Sequence, residues 1–134
     1  MPRASERGAV AVEFALLAPV LIMILLGIME FGRAYNVQTT LTNAAREGVR
    51  VMAVSNKQAD ALTATTNAAD TLSPKLRNSD VTIAFQTIPS TTPAPTSCAP
   101  GRQVTVTIRY SLSTTTGIAG PFAMTGKGTM LCGG

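Results

Sequence analysis

The chain lacks histidine and tryptophan entirely, and it carries few charges for its length. Without histidine, the side chain that most often serves as general acid, general base or metal ligand near neutral pH is missing. Its two cysteines, Cys98 and Cys132, are far apart and form no CxxC or zinc-type spacing. Aromatic residues make up 4% of a chain that is 46% hydrophobic, so the apolar content is aliphatic. Charged residues make up 13%, and the net charge of +4 is thinly spread. No Lys/Arg run reaches nucleic-acid density and no aromatics interleave to stack bases, so no nucleic-acid partner is expected. Asp60 and Asp70 fall on a presumed surface helix and Asp80 begins a presumed strand, which leaves no close carboxylate pair. Gly117, Gly120, Gly126 and Gly128 lack the following helix pattern and the Lys-Ser/Thr partner of a phosphate loop. The plentiful serines and threonines suit solvated strand faces and loops. The expectation is a structural or assembly protein with no catalytic residues, metal or cofactor.

What the chain does have is a long apolar run near its N-terminus. Residues 14–29 contain no charge, and extending back to Ala9 adds only one polar residue, Glu13. About 20 helical residues at 1.5 Å each cross a hydrocarbon layer of about 30 Å. Pro19 and Gly27 lie inside the run. Both are tolerated in lipid, where neighbouring groups satisfy a freed carbonyl, and a mild kink is expected near Pro19. Arg3 and Arg7, partly offset by Glu6, flank one end; Glu30 and Arg33 flank the other. The positive bias places the N-terminus in the cytoplasm and residues beyond about 33 outside it. A cleaved signal peptide is the competing reading. It needs a shorter run and a small-x-small site, whereas this run leads into Glu30-Phe31-Gly32-Arg33-Ala34-Tyr35, a poor cleavage site.

Glu13 needs a chemical account. A carboxylate costs about 2–3 kcal/mol at the bilayer centre and less near the interface, where it can reach the headgroups. Cutting between Gly8 and Ala9 would create an α-ammonium one helical turn before Glu13. In a packed bundle that carboxylate could neutralise the ammonium of a neighbouring subunit, an interaction strengthened by low dielectric.

The segment Gly8-Ala9-Val10-Ala11-Val12-Glu13-Phe14 resembles a type IV pilin-like processing site, with glycine before the cut and glutamate at the fifth mature position. The wider stretch through Ala18-Pro19-Val20-Leu21, then Gly27-Ile28-Met29-Glu30-Phe31-Gly32-Arg33-Ala34, then Leu41-Thr42-Asn43-Ala44-Ala45-Arg46-Glu47-Gly48-Val49-Arg50, resembles the TadE-like family. These are minor pseudopilins of the tight-adherence (Flp) type IV pilus system. The resemblance implies cleavage by a prepilin peptidase after Gly8, with Glu13 and Phe14 as assembly contacts. It also implies partnership with other pilins or pseudopilins and with the pilus assembly platform. Phe14 stands where the major pilins of this system often carry Tyr, and the long C-terminal portion also fits a minor pseudopilin.

Beyond the membrane segment, Val37, Leu41, Ala44, Ala45, Gly48 and Met52 recur at helical spacing and form one apolar stripe. The helix is therefore expected to continue as an amphipathic stalk to about Val54, with the stripe used as intramolecular core. Ala44, Ala45 and Gly48 also offer an exposed small-residue patch for close approach of a partner. Ser55-Asn56-Lys57-Gln58 reads as a capping box. It opens a second helix to about Leu72, with Leu62, Thr65, Ala69 and Leu72 on one face and Pro74 ending it.

The period then changes to two. Residues 80–87 alternate as a strand, 88–101 form a loop holding Cys98, and 103–112 form the clearest strand, with Val104, Val106, Ile108, Tyr110 and Leu112 on one face. A long connection follows at 113–126, and 127–132 close the sheet. The expected fold is α+β, with three antiparallel strands packed by one face on the helices. Antiparallel neighbours would bring Cys98 and Cys132 together as a disulfide. Two unpaired buried thiols are the alternative if the domain is cytoplasmic.

These readings divide the chain into a leader at 1–8, a transmembrane helix at 9–31, a stalk at 32–54 and an extracytoplasmic head at 55–134. The protein is expected in the cytoplasmic (inner) membrane with a single pass. The alternative is an unprocessed, signal-anchored envelope module that displays its head to a ligand. Secretion after signal cleavage is a third reading.

Overall fold

The computed structural model describes residues 4–90, 93–115, 117 and 120–133, with side chains in the first helix from Gly8 onward. Arg3 and the side chains of Glu6 and Arg7, which carry the proposed topology signal, lie outside the described set.

Helix α1, Ala4–Ser55, runs unbroken for 52 residues and contains Pro19. The hydroxyls of Thr39, Thr40 and Thr42 bond back to the carbonyls four residues earlier, so the polar side chains of its middle turns are locally satisfied. The helix stops at Asn56, whose φ of 51° is left-handed. Its backbone N–H caps the Met52 carbonyl at 3.0 Å, a reversal that asparagine tolerates better than most residues.

Helix α2, Gln58–Ala68, packs on α1. The two meet where α1 is smallest: a Cβ on Gly48 would lie 2.0 Å from Thr65 Oγ1. Strands β1, Val81–Thr87, β2, Arg102–Leu112, and β3, Phe122–Leu131, form an antiparallel meander in the order β1-β2-β3. The register sets Val81 opposite Ile108, and Ile108 opposite Gly126. One sheet face therefore carries Val81, Phe85 and the even-numbered β2 residues from Val104 to Leu112, all of them buried. The opposite face carries Thr82, Thr105, Thr107, Lys127 and Thr129 and is left to solvent or partly so. The fold is α+β, in agreement with the sequence pattern.

The helix–sheet contact depends on Gly126 and Gly128. A Cβ on Gly126 would stand 2.4 Å from the Leu41 carbonyl oxygen, and one on Gly128 would stand 2.6 Å from that of Ala45. Backbone thus meets backbone, which no larger residue permits. Val37, Leu41, Ala44, Ala45 and Met52 are all buried, so the predicted stripe is core; Val49 and Ala53 join it.

Several local expectations are corrected. Ala44, Ala45 and Gly48 are buried rather than an exposed patch, because α2 and β3 already occupy that surface. Ser55 ends α1 instead of capping α2, whose N-cap is Lys57 without a side-chain cap. Helix α2 stops at Ala68, short of Leu72, although Ala69 and Leu72 still reach the core. Asp80 closes a short 3-10 turn, Asn78–Asp80, before β1. Strand β3 begins at Phe122, five residues before the expected start at 127.

Candidate functional site

The N-terminal half of α1 is bare. Its most apolar window is 0% buried within the protein. Gly8, Ala9, Glu13 and Phe14 all lie on this exposed stretch, and a side chain at Gly8 would meet nothing within 4 Å. Ala9 and Glu13 are one helical turn apart and therefore neighbours on the helix surface. Among the described residues the ion pairs are Glu47–Arg50, Asp70–Lys75 and Asp80–Arg77, and none includes Glu13.

The head first grips the helix at the upper end of the apolar run. The Glu30 carboxylate accepts the Thr115 backbone N–H at 3.1 and 3.3 Å. The Arg33 guanidinium donates to the Ser113 carbonyl at 3.0 Å and to Thr115 Oγ1 at 2.9 Å. Higher up, Gln38 Nε2 donates to the Thr125 carbonyl at 2.8 Å. Sequence reading took Glu30 and Arg33 only as flanking charges. Their partners lie 80 or more residues away, beyond any local signal.

At the other end of the head, Cys98 and Cys132 are joined in a disulfide with a Cα–Cα distance of 5.2 Å. Asn56 Oδ1 accepts the Cys98 backbone N–H at 2.9 Å, tying the cystine loop to the end of α1. The bond closes a loop of 34 residues around β2 and β3, which by loop entropy is worth about 2–4 kcal/mol.

A cleft of about 630 Å³ in the head lies between the 74–80 segment and the β2–β3 pair and is lined by Lys75, Arg77, Asp80, Arg109, Tyr110 and Met124. Its charges largely answer one another. Arg77 holds the Asp80 carboxyl below its ordinary value by hydrogen bonding, and Lys75 pairs with Asp70. Tyr110 donates to the Pro74 carbonyl at 2.8 Å, and partial burial raises its phenol above the usual value. Among the described residues no cluster of three or more His, Cys, Asp or Glu could hold a metal.

The geometry separates a bare apolar helix from a head that begins at Glu30. Residues 8–50 match the model of the TadE-like protein family. Over that span the chain is similar to TadE-like proteins. No protein of established function and no solved structure matches it. The TadE-like segment covers Gly8, Ala9, Glu13, Phe14, the Glu30–Arg33 grip and most of the stripe of α1 that enters the core. Helix α2, the sheet and the disulfide fall outside it.

Proposed function

We propose that the chain is a pseudopilin-like, single-pass membrane protein that takes part in assembling a tight-adherence type IV pilus, and that a prepilin peptidase cuts it after Gly8. The observation that carries this reading is the position of the Gly8–Glu13 motif. It lies in the first turns of a helix that is long and apolar enough to span a membrane and is unburied there in its own fold, within the stretch that matches the TadE-like family. In this account the N-terminus faces the cytoplasm, the membrane is the inner one and the head is extracytoplasmic. The disulfide fits an oxidising compartment.

After the cut, the ammonium of Ala9 and the carboxylate of Glu13 are the two charges at the start of an otherwise apolar segment. Glu13 of one subunit neutralises the ammonium of a neighbour, and Phe14 packs beside it. The energetic logic is avoidance: a lone carboxylate in lipid is costly, and pairing removes much of that cost. The partners are other pilins or pseudopilins and the assembly platform. The role is structural, with no reaction catalysed by the head.

The test is Glu13→Ala in the producing cell. Membrane insertion is retained, because the substitution makes the segment more apolar, while pilus assembly falls. Normal piliation in that variant removes the proposed Glu13 contact.

A further inference from the structure

The chain has four Phe and two Tyr. Phe85 and Tyr110 belong to the core, and Phe14 lies in the bare half of α1. The other aromatics, Phe31, Tyr35 and Phe122, are 76%, 78% and 37% exposed. They come from opposite ends of the sequence, yet the fold brings them to one level.

Two independent observations set that level. Strand β3 rises alongside α1, with Gly126 over Leu41 and Gly128 over Ala45. Four strand residues below Gly126, about 13 Å, correspond to about nine helical residues below Leu41, which sets Phe122 beside the turn holding Phe31 and Arg33. Separately, Leu112 pairs with Phe122, and the residues that follow Leu112 are held by Glu30 and Arg33. The 113–115 segment is therefore fixed at the top of the apolar run.

We propose that Phe31, Tyr35 and Phe122 seat the base of the head in the lipid headgroup layer, so that the head itself makes a second contact with the membrane. This rests on the reading that α1 spans a bilayer. The headgroup layer adds about 5–8 Å beyond the hydrocarbon on each side, and Tyr35 stands about 7.5 Å above Glu30. Aromatic rings favour that layer, where an apolar body and a polar tip are both accommodated. Lipid is the occupant because the surface is continuous with the exposed apolar run below it: Ile28, Met29, Phe31 and Tyr35 are all more than 60% exposed. From the same level upward, a cleft of about 450 Å³ is bordered by Arg33, Asn36 and Thr71 together with Val37 and Leu72, a lining of mixed polarity. The Glu30–Arg33 grip then fixes the height of the head above the membrane.

The absence of tryptophan makes a direct test available. Full-length protein is reconstituted in phosphatidylcholine vesicles whose acyl chains are brominated near the carbonyl end. Single tryptophans are placed by Leu25→Trp inside the apolar run, Phe122→Trp at the base of the head and Leu131→Trp at its far end. By the same level arithmetic Leu131 stands about 30 Å above Glu30. Pro121→Trp is the second reporter if Phe122→Trp disturbs the strand.

The expected result is bromolipid quenching of the base reporter, with Leu131→Trp unquenched and Leu25→Trp quenched. A base reporter that behaves like Leu131→Trp while Leu25→Trp is quenched overturns the seating alone. A base reporter shielded from both water and lipid as protein density rises assigns the face to a second copy and also overturns it. An unquenched Leu25→Trp overturns the membrane-spanning reading, and the seating with it.

Discussion

The two halves of α1 are one continuous helix with opposite surroundings. Residues 9–29 leave most of their aliphatic side chains exposed, whereas from Val37 to Ala53 one face of the same helix is sealed by α2, β2 and β3. Apart from Glu13, the lower half is apolar on every face and needs a solvent that is apolar on every face. The upper half is apolar on a stripe and needs only one packed layer. The boundary is marked by Glu30 and Arg33, whose polar side chains hold the head. Where the lower half is left uncovered by its own fold, the upper half relies on close backbone approach, with Gly126 and Gly128 of β3 against Leu41 and Ala45 of α1.

That contrast can be broken most severely at Gly126. In Gly126→Val the new side chain meets the Leu41 backbone, so β3 must leave the helix. Head stability, followed by chemical unfolding of the full chain in detergent, should fall by roughly 3 kcal/mol or more. Membrane insertion should be unchanged, and its loss would show that the halves are not independent.

The next effect is the disulfide. Replacing Cys98 and Cys132 together with serine should lower head stability by about 2–4 kcal/mol in the same measurement. Insertion should again be untouched.

The smallest effect is electrostatic. Arg77 holds the Asp80 carboxyl below its ordinary value in the folded chain. A depressed carboxylate stabilises the fold above its unfolded pKa, and that contribution is lost as pH falls through the lower, folded value. Thermal midpoints should therefore decline below about pH 4. The decline should be slight because the Arg77 side of the pair is largely exposed, and slighter still in high salt. Asp80→Asn should flatten this part of the profile.

Much of this was legible in the sequence because the residues concerned act locally. The alternation from Val104 to Leu112 marks β2, and the stripe from Val37 to Met52 marks the buried face of α1. Strand β3 was underestimated because Gly126 read as the end of a connection, and only Gly128 fell inside the expected strand. Their role is to admit a helix backbone, a tertiary reason with no local trace. Ser55 followed by Gln58 has the letters of a capping box, but Asn56 takes the left-handed conformation that ends α1, so Ser55 belongs to the helix behind it. Glu30 and Arg33 were visible as charges and invisible as a grip, since Ser113 and Thr115 come close only when the sheet forms. Gly8, Ala9, Glu13 and Phe14 were readable from their order alone, and they remain uncovered in the fold.

The proposed role of those four residues turns on the covalent state of the N-terminus. N-terminal sequencing and intact mass of the membrane-fraction protein, from cells with and without the cognate prepilin peptidase, address it directly. The account predicts Ala9 as the first residue only when the peptidase is present. Residues upstream of Ala9 retained in both strains would contradict it.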